Sequence, residues 1–227
     1  MRILQFSGGK DSLACLELLR PWQDLTVLWV NTGAAFPETE ELIRSLNLPN
    51  FVEVKSDQPS QVKQYGWPVD ILPITHTPFG RQVQGHEKQL MQPSQLCCSM
   101  NIWEPMMKAS KELGATTIIR GQRNAENRKS PIRDGHVEDG ITYSFPIQDW
   151  TSKQVRDFLK ERLPAHYAYL DTSLDCWDCT AYLDENVGKM AYMKAFHREK
   201  HDIVHGRLTQ IRTAIQSELD HLNAMIE

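Results

Sequence analysis

Apolar side chains arrive in short runs separated by polar turns, and the spacing inside each run assigns its element. Residues 3–6 predict a short buried strand, stopped by Gly8-Gly9. Residues 12–19 then put Leu13, Leu16 and Leu19 on one helical face. The run LTVLWV over 25–30 predicts a second buried strand, a helix follows over 38–46, and residues 51–54 alternate as a third strand. This β-α-β-α-β order predicts a parallel sheet joined by right-handed crossovers.

The rhythm weakens between residues 56 and 95, where prolines stand at 59, 68, 73, 78 and 93. That stretch reads as a long irregular excursion, which in a compact domain is more often functional than idle. Regular spacing returns as a helix over 98–113, a strand over 116–120 and a strand over 141–145. Thr151 is the N-cap of a helix running to residue 162. From Asp184 onward the chain reads as helix with one break near Gly206. The fold class is therefore α/β: a Rossmann-like parallel sheet of about five strands, helices on both faces, and a helical C-terminal extension. One domain covers 1–182, and the extension over 183–227 packs on it.

Composition narrows the function classes. The 227 residues are 41% hydrophobic and 24% charged, which is ordinary for a globular chain and unlike a disordered one. The formal net charge of −4 leaves no global basic field for constitutive nucleic-acid binding, so any such contact must come from a local patch. No apolar run approaches the length of a membrane span, and the N-terminal apolar stretch is too short for a signal peptide, so a cytoplasmic protein is expected. In that compartment clustered cysteines point to metal or catalysis rather than disulfides. Four of the five cysteines form two tight pairs, Cys97-Cys98 and Cys176-Trp177-Asp178-Cys179.

The segment Ser7-Gly8-Gly9-Lys10-Asp11-Ser12 joins the first strand to the first helix. Helix N-termini offer unpaired N–H groups and partial positive charge to a phosphate. Two glycines allow close approach of the backbone, Lys10 adds a charge, and Ser7 and Ser12 add hydroxyls. The pattern is neither Walker A nor the Rossmann G-x-G-x-x-G; the plain alternative is a glycine turn. SGGKDS resembles the pyrophosphate loop of the adenine-nucleotide α-hydrolase (PP-loop) superfamily. That resemblance implies that Ser7, Gly8, Gly9, Lys10 and Ser12 hold pyrophosphate and that Asp11 helps to place Mg²⁺.

The paired cysteines supply four thiolates from two distant segments, and vicinal cysteines on a helix project about 100° apart. That spread suits two corners of a larger cluster better than one tetrahedral ion. A [4Fe–4S] cluster, zinc and free redox thiols all remain open from the residues alone. The CC…CxxC arrangement resembles that of the cluster-binding adenylyl-sulfate reductases of the phosphoadenylyl-sulfate (PAPS) reductase family. Asn31-Thr32-Gly33 with Phe36-Pro37-Glu38-Thr39 is similar to that family's D-T-G-x-x-F-P-E-T segment. Gly121-Gln122-Arg123 with Glu126 is similar to its G-x-R-x-x-(Q/E) loop, and Pro146 with Asp149-Trp150 to its P-x-x-D-W segment. The resemblance covers about residues 1–182. It implies that Asn31, Thr32, Gly33, Gly121, Arg123 and Arg128 contact the nucleotide, and that Cys97, Cys98, Cys176 and Cys179 ligate the cluster.

Three departures bear on the activity. The reductases attack sulfur with a cysteine from an E-C-G-I-H-type tail, whereas no cysteine follows Cys179 here and Cys15 reads as core. Asn101 and Ile102 stand where the family's vicinal cysteines are followed by an Arg-Lys pair. The first loop is intact, as in the ATP-cleaving relatives. Together these imply an ATP-dependent enzyme with Mg²⁺ that attacks the α-phosphate, releases pyrophosphate and serves sulfur transfer or the modification of a nucleic acid or small molecule. Lys10, Asp11 and Arg123 would be its catalytic residues. The alternatives are a PAPS or adenylyl-sulfate reductase using a thiol supplied in trans, with a thiol or sulfur donor protein as partner, and a non-catalytic nucleotide- or cluster-sensing subunit. A homo-oligomer stays open.

Other charged and aromatic residues have plainer readings. Arg120, Arg123, Arg128, Lys129 and Arg133 concentrate positive charge after the fourth strand, where α/β sheets bind anions and where a nucleic-acid backbone also fits. His197, His201 and His205 share a helix face, without the H-E-x-x-H pattern, and read as a solvated or partner-facing surface. Trp150 reads as core, and Trp177 as packing or as a shield for the cysteines.

Overall fold

Each strong apolar run becomes a strand of one sheet. The computed structural model describes residues 1–85, 87–126 and 130–227, with the backbone alone for residues 183, 186 and 187. Along the chain come β1 (Arg2–Gln5), α1 (Lys10–Leu18), β2 (Leu25–Asn31), α2 (Pro37–Ser45) and β3 (Phe51–Lys55). Next are α3 (Gln58–Tyr65), β4 (Trp67–Val69), α4 (Pro78–Gln84), β5 (Met91–Pro93), α5 (Ser94–Cys98) and α6 (Glu104–Glu112). Then follow β6 (Thr117–Ile119), β7 (Val137–Glu138), β8 (Ile141–Ser144), α7 (Ser152–Leu159), α8 (Leu183–Phe196) and α9 (Arg198–Ile226).

The main sheet runs β3-β2-β1-β6-β8-β7. Its first five strands are parallel, with Leu4 of β1 opposite Val27 on one side and Ile119 on the other. The edge strand β7, which is antiparallel to β8, was not legible as a two-residue element. Strand order reverses at β1, since the chain moves to β2 on one side and returns to β6 on the other. In open α/β sheets a ligand crevice forms at the carboxyl ends of the strands flanking such a reversal, here where the loops after β1 and β6 meet.

Both faces of the sheet are covered. Leu4, Phe6, Val27 and Ile119 pack with Leu13 and Leu16 of α1 and with Val155 and Leu159 of α7. On the other face Ile118 and Tyr143 pack with Met107 of α6. At roughly 25 cal/mol per Å² of apolar area removed from water, such burial is the main force holding the layers together. Trp150 sits half-buried against the first cluster, edge-on to Phe158.

The stretch over 56–95 is more regular than its sequence suggests. It carries α3, α4 and a second, parallel pair of strands, β4 and β5, with Trp67 opposite Met91. The prolines mark starts rather than breaks. Asp57 caps α3 through Ser60 N, Thr77 caps α4 through Gly80 N, and Pro59 and Pro78 lie in first turns where a missing N–H costs nothing. Three-residue strands are too short to show a period.

The C-terminal helices also differ from expectation. The break falls at His197 (φ −137°, ψ 60°), not at Gly206, which lies inside α9. His197 is held there by Glu38, Nε2 to Oε1 at 2.6 Å, rather than facing solvent with its neighbours, while His201 and His205 stack on each other. The helix expected over 98–113 starts earlier, at Ser94, and passes through a π-helical turn (Ser99–Trp103) before α6. Tyr192 and Met193 of α8 and Val204 of α9 pack on Phe36, Leu170 and Leu174, and Ile211 packs on Val69 and Met91. No helix among the described residues is long and apolar enough to cross a membrane.

Candidate functional site

The loop after β1 is shaped by its glycines. Gly8 has φ +81°, and a Cβ there would lie 2.8 Å from Thr39 Cγ2. Ser7 and Ser12 close the turn, with their hydroxyls 3.2 Å apart and Ser12 Oγ donating to Gly9 O at 2.9 Å. Helix α1 then starts at Lys10 with no side-chain cap, leaving its positive end for a ligand. Tyr167, which no local pattern singles out, accepts from Lys10 N at 2.9 Å and lies under the Lys10 ammonium, 5.7 Å from ring centre to Nζ.

The loop after β6 closes onto this turn. Gly121 abuts the first turn of α1 so tightly that a Cβ would meet Asp11 C at 2.6 Å and Ser12 N at 2.7 Å. Two residues later the buried Arg123 forks onto Asp11, Nε to Oδ1 at 2.8 Å and Nη2 to Oδ2 at 3.4 Å. It also donates to Trp150 O at 3.3 Å and stands 3.8 Å from Glu126. Lys10 Nζ reaches Asp11 Oδ2 at 3.0 Å. Burial, and then the Asp11 charge, push the Glu126 carboxyl up. Arg120 Nε donates to Gln5 at 2.6 Å, and burial pulls its guanidinium down from its usual range.

These groups line a cavity of about 570 Å³ at the reversal of strand order. Ser7, Gly9, Lys10, Asp11, Ser12, Gly121 and Arg123 all face it, so most of the phosphate and catalytic candidates share one space. Gly8 lies behind the loop against Thr39. Asp171, Asp175 and Glu185 share the lining with Lys10 and Arg120, so the cavity is mixed in charge rather than uniformly basic. Nothing in the pattern of residues 171–175 marked them beforehand, because they belong to no regular element.

Asn31, Thr32 and Gly33 end β2 away from that lining. Asn31 bonds Glu53 at 2.8 Å, and Thr32 Oγ1 lies 3.3 Å from Cys176 Sγ. Arg128 and Lys129 fall outside the described residues, and Arg133 lines a small adjoining cavity.

All four paired cysteines line a single enclosed pocket of about 20 Å³. Cys97 and Cys98 come from the end of α5, while Cys176 and Cys179 come from the turn before α8. No disulfide joins them. Polar groups stand beside three of the sulfurs: Asn101 Nδ2 at 3.8 Å from Cys97, Tyr182 Oη at 3.1 Å from Cys98, and Thr32 at Cys176. Burial, then the neighbouring thiols, push Cys97 up to about 12; burial pushes Cys179 up to about 11 against the pull of the Lys189 charge. Ile102 lines both this pocket and the larger cavity. Cys15 is fully buried in the core, as its spacing suggested, and its thiol is pushed up to about 12 by burial and the Asp11 charge.

Residues 2–182 match the family model of the phosphoadenosine phosphosulfate reductase domain. The phosphoadenosine 5'-phosphosulfate reductase of Proteus mirabilis is 31% identical over 175 residues, which are 72% of this chain and 63% of that protein. The enzyme of the same name from Vibrio vulnificus is 29% identical over 165 residues, 68% and 56% of the two chains. The chain thus spans less than two thirds of the length of these curated relatives. The crystal structure of the phosphoadenylyl-sulfate reductase from Candida auris, a phosphate complex, superposes with a TM-score of 0.51 at 20% identity. It covers 77% of this chain and 81% of that one, and shares the fold.

Proposed function

Because the chain belongs to the phosphoadenosine phosphosulfate reductase family, we propose that its cavity binds a sulfonucleotide (PAPS or adenylyl sulfate) and that a thiol supplied in trans releases sulfite. The observation that carries this reading is the cavity lining: a phosphate cradle and two arginines, with no cysteine among the described residues. Cys15 is buried in the core and the other four cysteines line a separate pocket, so among the described residues no thiol faces the cavity.

A partner thiolate of thioredoxin type attacks the sulfate sulfur, an S–S bond forms, and the S–O bond to the phosphate breaks. The nucleotide leaves with its phosphate charge held by Lys10, the Ser7 and Ser12 hydroxyls and the start of α1. A second thiol of the same partner attacks the S-sulfonate, giving a disulfide and sulfite. Arg123 would position Asp11 and the loop, and Arg120, which lines the same cavity, would meet sulfate oxygens.

One observation favours a second reading. Asp11, Glu126, Asp171, Asp175 and Glu185 crowd carboxylates around the same cavity, a setting that suits a nucleotide carrying a divalent cation. With the intact loop this supports ATP with Mg²⁺, attack on the α-phosphate and pyrophosphate release.

The cysteine pocket carries the donor set of an iron–sulfur or other thiolate metal site. It gathers four undisulfided thiols in one enclosure with N–H or O–H groups beside three of them, as cluster sulfurs require. Among the described residues no three ligand side chains already converge on one ion position, so the thiols would draw together around whatever metal bound there. Cys97, Cys98, Cys176 and Cys179 would hold a [4Fe–4S] cluster, which when bound supplies redox-active iron beside Ile102.

The test uses anaerobically purified protein with PAPS or adenylyl sulfate and reduced thioredoxin, assayed for sulfite, alongside ATP–Mg²⁺ assayed for pyrophosphate. Sulfite that depends on both sulfonucleotide and dithiol supports the first reading. No sulfite with any dithiol, together with pyrophosphate from ATP, establishes the second.

A further inference from the structure

Lys189 is a lysine in the wrong place for a surface helix. It sits on α8, beyond the matched family domain, and is 1% exposed. Its Nζ donates to Cys176 O at 2.6 Å and lies 5.8 Å from the centre of the Phe36 ring. Among the described residues no carboxylate forms an ion pair with it, whereas Arg207, the other cation at this turn, is paired with Asp178 at 3.1 Å. A buried ammonium with one carbonyl and one ring face is short of negative charge, and such a group is retained only where a counter-charge meets it.

The four-cysteine pocket is short of positive charge in the same way. Between Cys97 and Met107 there is no lysine or arginine, and the four residues after the vicinal pair, Ser99, Met100, Asn101 and Ile102, are all uncharged. The CxxC turn adds only Asp175 and Asp178 beside it. Thiolate ligands there, with or without a cluster, carry net negative charge in an enclosed pocket.

We propose that Lys189 is the counter-charge of the four-cysteine centre, supplied from the C-terminal helix in place of the cations missing after Cys98. Lys189 acts through the centre's charge rather than as a ligand, so loading the centre and docking α8 are coupled. This rests on the reading of the pocket as a metal or cluster site.

The test separates charge from hydrogen bonding. Lys189→Gln keeps an N–H donor for Cys176 O and removes the charge; Lys189→Arg keeps the charge; Lys189→Met is the second neutral variant should the glutamine protein fail to fold by circular dichroism. Each is reconstituted anaerobically with ferrous iron and sulfide, and the midpoint potential is read by EPR-monitored titration. Cobalt(II) affinity is read in parallel from thiolate charge-transfer absorption. The neutral variants are expected to lose at least ten-fold in cobalt affinity and to hold a cluster of more negative potential, with Lys189→Arg restoring both. Neutral variants that match wild type in both readouts overturn the proposal. A wild-type protein that takes up neither iron nor cobalt overturns the reading of the centre itself, and this inference with it.

Discussion

Gly121→Ala tests how the cavity is assembled with the smallest available perturbation. Gly121 is not in the left-handed region, so alanine meets no backbone strain and the effect is steric alone. Its methyl would stand 2.6 Å from Asp11 C, 2.7 Å from Ser12 N and 2.8 Å from Asp11 O. Carbon contacts relax at about 3.5–4.0 Å, so the shortfall is about 1 Å against three backbone atoms. Side chains cannot absorb it, because the obstacle is the first turn of a buried helix. Overpacking of this kind costs about 1–3 kcal/mol, and a displacement of about 1 Å in a positioned group costs up to about 10²-fold in rate. Calorimetry with the cognate nucleotide is expected to show at least a ten-fold loss of affinity, and urea unfolding a loss of about 2 kcal/mol. Gly206→Ala, inside α9 with nothing within 4 Å and outside the left-handed region, is the control and should leave affinity unchanged. A Gly121→Ala protein that binds like wild type would refute the claim that the two loops form one site.

Three further outcomes follow from particular contacts. Gly206→Ala should raise stability by about 0.5–1 kcal/mol in urea, because Gly206 is inside α9 with open space around it; a loss would restore the break expected there. Arg123→Ala should cost about 2–3 kcal/mol, toward the low end for a broken buried pair because the Asp11 side chain keeps 21% of its exposure, and a change below about 0.5 kcal/mol would contradict the pairing. Acid should weaken the docking of α8 and α9 in two stages, followed by tryptophan fluorescence. Burial lowers His166 against the pull of Glu38, so the unfolded chain binds the extra proton and stability falls as pH drops through about 6.5. Burial alone would raise Glu38, but bonds from Tyr192, its own backbone and His197 hold it below the usual range, so its contribution, full above about 4.3, is lost as pH falls through the lowered value. Stability flat from pH 7 to about pH 5 would contradict the His166 stage, and stability flat below about pH 4.3 the Glu38 stage.

What could be read from the sequence was whatever repeats locally. β1, β2 and β6 announced themselves as runs of buried Leu, Ile and Val, β3 by its alternation although none of it is buried, and Ser7–Ser12 because glycine, lysine and serine between strand and helix have a single strong use. The pairing of Cys97-Cys98 with Cys176 and Cys179 was visible as composition, and the structure brings all four to one pocket. Long-range partners were not visible. Tyr167 reaches Lys10 across the fold, Asp171 and Asp175 enter the cavity from an irregular turn, and Lys189 on a helix reads as a surface lysine until α8 folds over Cys176. The histidine face at 197, 201 and 205 misled for the same reason, since helical spacing does not show that Glu38 waits at the corner.

The central claim is that this cavity holds a sulfonucleotide and that its thiol comes from another protein. Calorimetry on anaerobically purified protein, titrating adenylyl sulfate, PAPS and ATP–Mg²⁺ in turn, tests it most directly. A sulfonucleotide is expected to bind at least ten-fold more tightly than ATP–Mg²⁺, with that binding abolished by Lys10→Ala. Tighter binding of ATP–Mg²⁺, with neither sulfonucleotide retained, would contradict it and assign the carboxylates around the cavity to a metal–triphosphate instead.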